Sequence, residues 1–529
     1  MGFWDKSLAI VKCLRDHGKQ SVRHLAQKTG FSKSSVYRLQ QAMERRGGHP
    51  ESGWWETEVG RQWLTRLVVA TLYTFGLKRG VGLDTMETFF ARLHLATQGG
   101  CSPSALRRIM QTLEATMLET AATWEKQEVA TGGEREIIGA VDETFLEQMV
   151  LVFMDLPTGY IILEETADER SYATWHALVD QRLTALHAQV RYLVSDRAKA
   201  LIQLAEQGLA CLSIPDFFHL VHDIVKSYSL ALGRRLQQAH QELHKAEERL
   251  QKHLKGDTRG VAYGEATQQV EATRAEVTRW EAIQRDYRQQ LETLSLTLHP
   301  FRIDDSAPQT ATQVAARLQA QVEAIETLAR TAQLPERPEA MTKVKKQLPE
   351  VAALVDFWWQ GVRRDLEHAA VSPLWQQWAQ EVLLPWRYWE YQVTRTRCAR
   401  RKAQMQRVLE RVRVEFQAHG ITSCLPAQAL KDWQAWATQQ AYAFQRASSA
   451  VEGRNGYLAG MHHQQRGLPT RRYKVWTVLH NFDTRATDGT TPAARFFRHA
   501  FPDLFETVLA NVGALPQPRQ RKRIVMLSP

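Results

Sequence analysis

The chain has 529 residues, 44% of them apolar and 9% aromatic, enough material for several cores, and three or four structural units are expected. Lysine and arginine outnumber aspartate and glutamate by 11, and the isoelectric point is about 9.4, a balance that favours a polyanion such as nucleic acid without requiring one. Cys13, Cys101, Cys211, Cys398 and Cys424 are scattered with no Cys-x-x-Cys pair, which argues against a disulfide framework or a zinc site and fits a reducing compartment. Arg66 interrupts the best apolar run after Trp63, short of the roughly 18 residues of a membrane span, and no signal peptide opens the chain. A soluble, cytoplasmic protein without a membrane partner is expected.

Residues 1–50 read as a DNA-binding domain. Three short helices are expected between Ser7 and Arg46, the middle pair being His24-Leu-Ala-Gln-Lys-Thr-Gly-Phe-Ser-Lys-Ser-Ser-Val-Tyr-Arg38. Small Ala26 lets two helices approach, Gly30 supplies a left-handed turn, Ser32 caps the next helix and Val36 packs it back. That helix then offers Lys33, Ser34, Ser35, Tyr37, Arg38 and Gln41 to a major groove. An ordinary three-helix bundle shares the glycine turn; the polar, basic exposed set favours helix-turn-helix DNA binding. Residues 51–130 continue as helices. Cys101-Ser-Pro-Ser-Ala-Leu-Arg-Arg-Ile-Met110, with a cap and a proline in the first turn, reads equally as a second DNA-reading helix or a packing helix.

The periodicity changes near Glu134, opening a segment expected to span 131–225. Ile137–Val141, Met149–Met154 and Tyr160–Leu163 are β-rich runs, the last two joined by the turn sequence Asp155-Leu-Pro-Thr-Gly159. A helix over 171–188, a strand Val190–Val194, a helix over 198–207 and a strand near Cys211–Ile214 complete the order βββαβαβ. That is the order of a ribonuclease H-like core, in which the first and fourth strands are neighbours. The fold class expected is therefore α+β or α/β but mostly helical: a helix-turn-helix domain, then a mixed-sheet core interrupted by a large all-α insertion.

The insertion is expected over 226–430. Leu236, Ala239, Leu243, Ala246 and Leu250, then Val270, Val277, Trp280, Tyr287, Leu291 and Leu294, recur at helical spacing on either side of Gly256-Asp-Thr-Arg-Gly260, as in an antiparallel coiled-coil hairpin that Pro300 ends. Such a stripe is core, and the hairpin itself reads as an arm for partners or DNA. Trp358, Trp359, Trp375, Trp378, Trp386 and Trp389 read as core. Eight cations between Arg395 and Arg413 suit phosphates or a solvated helix face.

Three carboxylates carry the chemical reading. Asp142 closes the first strand run, and strand alternation turns Glu143 away from whatever Asp142 faces, so one of the two can be a ligand. Asp196 follows a buried strand, where open α/β sheets place binding groups, although a helix cap is its alternative role. Glu452 lies in a helical pattern through Ala437, Ala441, Phe444, Ser448, Val451, Asn455 and Leu458, beside the buried face. Carboxylates are the hard oxygen donors that Mg²⁺ or Mn²⁺ takes, and a two-metal site can drive in-line attack on a phosphodiester. Arg446 and Arg454 compete with a metal for Glu452, and Arg454 is also a candidate DNA contact.

Val141-Asp142-Glu-Thr144, Val194-Ser-Asp196-Arg-Ala-Lys-Ala200 and Ser448-Ser-Ala-Val-Glu452-Gly-Arg-Asn455, in this order, resemble the three motifs of bacterial DDE-type transposases. The resemblance runs through most of the chain and implies Asp142, Asp196 and Glu452 as catalytic metal ligands. It further implies metal-dependent cleavage of element ends with strand transfer into target DNA, double-stranded DNA as partner, a homodimer or larger on that DNA, and association with the bacterial nucleoid. Pro215-Asp-Phe-Phe-His-Leu-Val-His222 resembles the stretch after the second aspartate, where His219 and His222 touch phosphates or serve as half-buried structural residues. The 256-position gap from Asp196 to Glu452 departs from a compact core and requires the insertion to fold out and return the last helix, over 431–529, to the sheet. Arg471-Arg-Tyr-Lys474, His480–Asp483 and Asp488–Phe497 resemble the family's tail, with a turn at Asp488-Gly489 and a helix start at Thr491-Pro492. Arg519-Gln-Arg-Lys-Arg523 reads as a disordered basic tail adding non-specific DNA affinity. A transcriptional regulator without catalysis and a different ribonuclease H-like nuclease remain the alternatives.

Overall fold

The computed structural model describes residues 9–10, 12–13, 20–45, 54–55, 57–95, 98–255, 260–465, 470–486 and 488–516. The expected first helix of the DNA-binding domain lies largely outside the described residues, as do most of the loop 256–260 and the basic run 519–523.

The helix-turn-helix is built as its sequence reads. Helices α1 (Val22–Thr29) and α2 (Lys33–Arg45) flank Gly30, whose φ of 71° is the left-handed turn that a side chain resists. Ser21 caps α1, and Ser32 Oγ accepts the Ser35 N–H at 3.2 Å. Leu25, Val36 and Leu39 pack with Ile10 into a small core of their own.

Helices α3 (Glu58–Thr71), α4 (Leu83–Arg92) and α5 (Pro103–Thr131) follow. Ser102 caps α5 ahead of Pro103, and Leu106, Ile109, Met110 and Leu113 bury one face. Arg107 and Arg108 lie on its exposed side.

Next comes one five-stranded mixed sheet. Its strands are β1 (Arg135–Phe145), β2 (Met149–Asp155), β3 (Tyr160–Ala167), β4 (Ala188–Ser195) and β5 (Leu212–Pro215), in spatial order β3-β2-β1-β4-β5. β1 pairs antiparallel with β2 and parallel with β4, so the first and fourth strands are neighbours. Gly139 lies where Phe153 and Leu193 cross β1; a Cβ there would sit 2.4 and 2.8 Å from their side chains. The connecting helices are α6 (Tyr172–Leu186) and α7 (Lys199–Gln203), the latter ending in a wide turn over Leu204–Gly208 instead of running on to 207 as a regular helix.

From α8 (Phe217–Leu254) and α9 (Val261–Thr297), which pair along their length, the chain continues through α10 (Ala311–Thr331), α11 (Pro338–His368), α12 (Pro373–Trp378), α13 (Leu384–Arg395), α14 (Ala399–Ala418), α15 (Gly420–Cys424) and α16 (Ala427–Ala443). Trp358, Trp359, Trp378 and Trp389 are buried, as expected of core residues. The cations after Arg395 are partly engaged locally, Arg413 by Glu410 and Arg411 by the Asp304 carbonyl. The chain then returns to the sheet through α17 (Ser449–Gln465), which packs on β1 and β2, and α18 (Thr470–Phe482), which packs on α5 and β3. Asn481 clamps the edge strand β3, bonding both N–H and carbonyl of Ile161 at 2.9 Å. Helices α19 (Pro492–Phe497) and α20 (Leu504–Ala510) close the described chain. No described helix is long and apolar enough to cross a membrane.

Candidate active site

Asp142 does not end its strand. β1 runs three residues further, and Asp142 pairs with Val152 of β2. Asp196 follows the last residue of β4, and the parallel register Ala140↔Val194 puts both aspartates two positions beyond the same rung. Glu452 occupies the first turn of α17. Two elements more than three hundred residues apart thus meet: Asn455, one turn after Glu452, donates Nδ2 to Asp142 Oδ2 at 2.8 Å.

Electrostatics divides the acidic groups into two couples. The Asp142 carboxyl is pushed up to about 7, first by withdrawal from water and then by the negative charge of Glu452; the Glu143 N–H and His219 act in the opposite sense. Glu143 is also raised, by burial and then by Asp196. The negative charge of Glu143 adds a smaller rise to Asp142, while Asp196 acts on Glu143. Asp196 is exposed, and its Oδ1 accepts the Ala198 N–H at 2.9 Å in a turn ahead of α7, whose own N-cap is Ala198 with no side-chain cap bond. Among the described residues, no group of three or more histidine, cysteine, aspartate or glutamate side chains is arranged to hold a metal ion.

His219 lies between Glu452 and Asp216. Its Nε2 lies 3.3 Å from Glu452 Oε1 and 3.8 Å from Asp216 Oδ2, and its ring shares a crevice of about 20 Å³ with Asp196, Asp216, Asp223 and Lys343. Asp216 is the residue that sequence reasoning missed. Fully buried, it caps α8 through the Phe218 N–H at 2.7 Å and accepts the Ser448 N–H at 3.1 Å together with the Ser448 hydroxyl. The legible signal was an aspartate directly before a long apolar-periodic helix.

The helical pattern expected through Ala437–Leu458 is broken. α16 stops at Ala443 and α17 starts at Ser449, because the intervening backbone is used elsewhere. The Tyr192 hydroxyl donates to the Ala443 or Gln445 carbonyl and accepts the Gln445 N–H, and the Arg446 carbonyl accepts the Phe217 N–H. Arg446 itself is half-buried and caps the end of α9, donating to the Ser295 and Leu298 carbonyls at 2.7 and 2.8 Å. It does not pair with Glu452.

Arg454, the other candidate DNA contact, is held inside the fold. It is buried, and Glu164 of β3 grips its guanidinium at 2.6 and 2.8 Å. The helix-turn-helix candidates behave otherwise: Lys33, Ser34, Tyr37, Arg38 and Gln41 are exposed and Ser35 is half-buried. The tail residue His480 is structural, bonded to the Gly159 carbonyl at 2.8 Å.

Residues 5–47 match the IclR helix-turn-helix domain. DNA is therefore the partner indicated for α1 and α2. Residues 379–524, which include α17 and Glu452, match a family of unknown function, DUF6399. No curated protein matches the chain.

Proposed function

We propose that this chain is a DNA transposase of the DDE type, in which the helix-turn-helix binds element ends and Asp142, Glu452 and Asp196 serve cleavage and strand transfer. The observation that carries the reading is the return of Glu452, across an all-helical insertion, to a desolvated Asp142 on the central strand. The strand order β3-β2-β1-β4-β5 supports a ribonuclease H-like core beneath it.

Two carboxylates in a partly dry site form a donor set suited to Mg²⁺ or Mn²⁺, since a cation offsets both the loss of hydration and, secondarily, the repulsion from Glu452 that raise the Asp142 carboxyl. Asp142 and Glu452 would hold such an ion, and the transposase reading adds Asp196 from the neighbouring strand end. Bound there, it would supply activation of water or a 3′ hydroxyl and stabilisation of the leaving oxygen. The protein's own residues orient the donors: Asn455 fixes one oxygen of Asp142, and Asp216 with His219 fixes the start of α17 and Glu452. Synapsis of two ends would require two copies of the chain.

A DNA-binding regulator is the second reading, favoured by the IclR-type match and by the lack of a ready-made three-ligand group among the described residues. Plasmid carrying the DNA that flanks the coding sequence separates the two. Wild-type protein with Mg²⁺ should nick it and join ends, whereas Asp142→Asn and Glu452→Gln should bind the same DNA without cleaving. Full cleavage by Asp142→Asn would overturn the assignment, and duplex binding without divalent-dependent nicking by any form would favour the regulator.

A further inference from the structure

The outer face of α8 bears a ridge that the core does not use. Phe218, His222, Lys226, Leu230 and Arg234 follow one another at i+4 steps and all are exposed, Phe218 by 47% and Leu230 by 64%. Each step advances about 6 Å, so the ridge extends about 24 Å from its first residue. The opposite face supplies the packing, through buried Leu220, Ile224, Tyr228 and Leu232. The ridge begins at the candidate site, because Phe218 adjoins His219, whose Nε2 lies 3.3 Å from Glu452.

Its chemistry is aromatic and cationic. Phe218 stacks on His222 with ring centroids 6.3 Å apart and planes 18° apart. Between Phe217 and Arg235 the sequence holds a single acid, Asp223, which Lys343 neutralises at 3.0 Å. Among the described residues, neither Lys226 nor Arg234 is held by a carboxylate. A second copy would be expected to present acids to such a ridge, yet the chain carries a net charge of +11. Interleaved rings and free cations are the surface that takes unpaired bases and phosphates together.

We infer that this ridge is a single-strand DNA track, with Phe218 stacking on an unpaired base beside the carboxylates and Lys226 and Arg234 meeting phosphates of the strand that leaves the site. The inference rests on reading the carboxylates as a strand-processing centre and adds that the strand processed is unpaired where it passes α8. A double helix keeps its bases stacked inward and offers no open ring to Phe218.

Binding of fluorescent oligonucleotides to the full chain tests it, with a single strand, a blunt duplex and a duplex carrying a single-stranded tail, all without divalent cation. Phe218→Ala should weaken binding of the single strand and the tailed duplex about 5- to 150-fold, the range for losing one base stack. It should leave the blunt duplex, which the helix-turn-helix holds, within twofold. Phe218→Trp should restore the affinity, and Lys226→Gln should shallow the salt dependence of single-strand binding by about 0.7 in log–log slope. Unchanged single-strand affinity in Phe218→Ala, an equal loss for all three DNAs, or loss of self-association in place of strand binding would each overturn the track. The outcome is separable from the proposed activity: if wild-type protein nicks nothing while Phe218→Ala still loses the single strand selectively, the track stands and the transposase reading falls.

Discussion

Replacing Asp216 tests the joint on which the candidate site depends. Its carboxylate is the shared acceptor for the Phe218 N–H at 2.7 Å, the Ser448 N–H at 3.1 Å and the Ser448 hydroxyl, and the side chain is out of water. Asp216→Ala leaves three buried donors without an acceptor, each costing about 1–3 kcal/mol. Such losses are not additive within one network, and the removed carboxylate no longer carries its own desolvation cost, so a local destabilisation of about 3–5 kcal/mol is expected. A long multi-unit chain has no single unfolding transition, so the readout is native-state hydrogen exchange. Protection of the Phe218, Ser448 and Glu452 amides should fall about 100- to 1000-fold or more, at 1.4 kcal/mol per decade, while amides of α10 and α11 stay unchanged. Asp216→Asn retains one acceptor oxygen and should fall between the two. If exchange at Ser448 and Glu452 is as slow in Asp216→Ala as in the wild type, the start of α17 is held by its own packing and the account of how Glu452 is positioned is wrong.

Two further substitutions address charge. Asp142 has its carboxyl raised to about 7, so the folded state binds a proton more tightly than the unfolded state does, and this stabilisation is complete below about pH 3.8 and fades as the pH rises to 7. Without divalent cation, exchange protection of the amides of β1 and the start of α17, corrected for intrinsic exchange, should therefore decline from pH 5 to 8 more in the wild type than in Asp142→Asn, and added Mg²⁺ should raise it more at pH 8 than at pH 5; parallel pH dependence in the two proteins would contradict the raised Asp142 carboxyl. Arg454→Ala should destabilise the fold by about 3–5 kcal/mol by leaving Glu164 charged and buried without a cation, with the Thr477 hydroxyl as its remaining partner, measurable as a lowered urea midpoint for the sheet unit. An Arg454→Ala protein with normal stability and weakened DNA binding would return that arginine to the DNA interface.

Local signals carried much of this fold because the chain obeys them locally. Gly30, Ser32 and Val36 placed the turn of the DNA-binding domain, and the Pro–Gly turn before Tyr160 placed the β2–β3 hairpin. Position after a strand located Asp196. What sequence spacing could not carry is set by distant partners. Phe444–Ser448 has a helical apolar pattern, yet Tyr192, Phe217 and Asp216 take its backbone groups, and these bonds outweigh propensity. Arg454 reads as a surface cation beside a metal ligand until Glu164, on an edge strand 290 residues earlier, is placed against it. The side to which Asp196 couples depends on the twist of β4 against β1, a property no single segment contains.

The large insertion and the small site are compatible because the insertion leaves and re-enters at one point. Its first residue, Phe217, donates its N–H to the carbonyl of Arg446, the ring of Phe217 lies 5.4 Å under that guanidinium, and the guanidinium closes the end of α9. The outer hairpin is held along its own length, by Arg274 to Glu247 and by Ala239, Ala246, Val270 and Val277 in its seam, and not by the sheet. Removing residues 243–278 and joining Glu242 to Arg279 through a short glycine–serine turn should therefore leave the joint intact: exchange protection at Ser448 and Glu452 unchanged within a few-fold, and the pH dependence tied to Asp142 preserved. The ridge from Phe218 to Arg234 survives this deletion, so single-strand affinity should survive too. Loss of protection at Ser448 in the shortened chain would mean that the distal arm, and not the pinned base, returns Glu452 to Asp142.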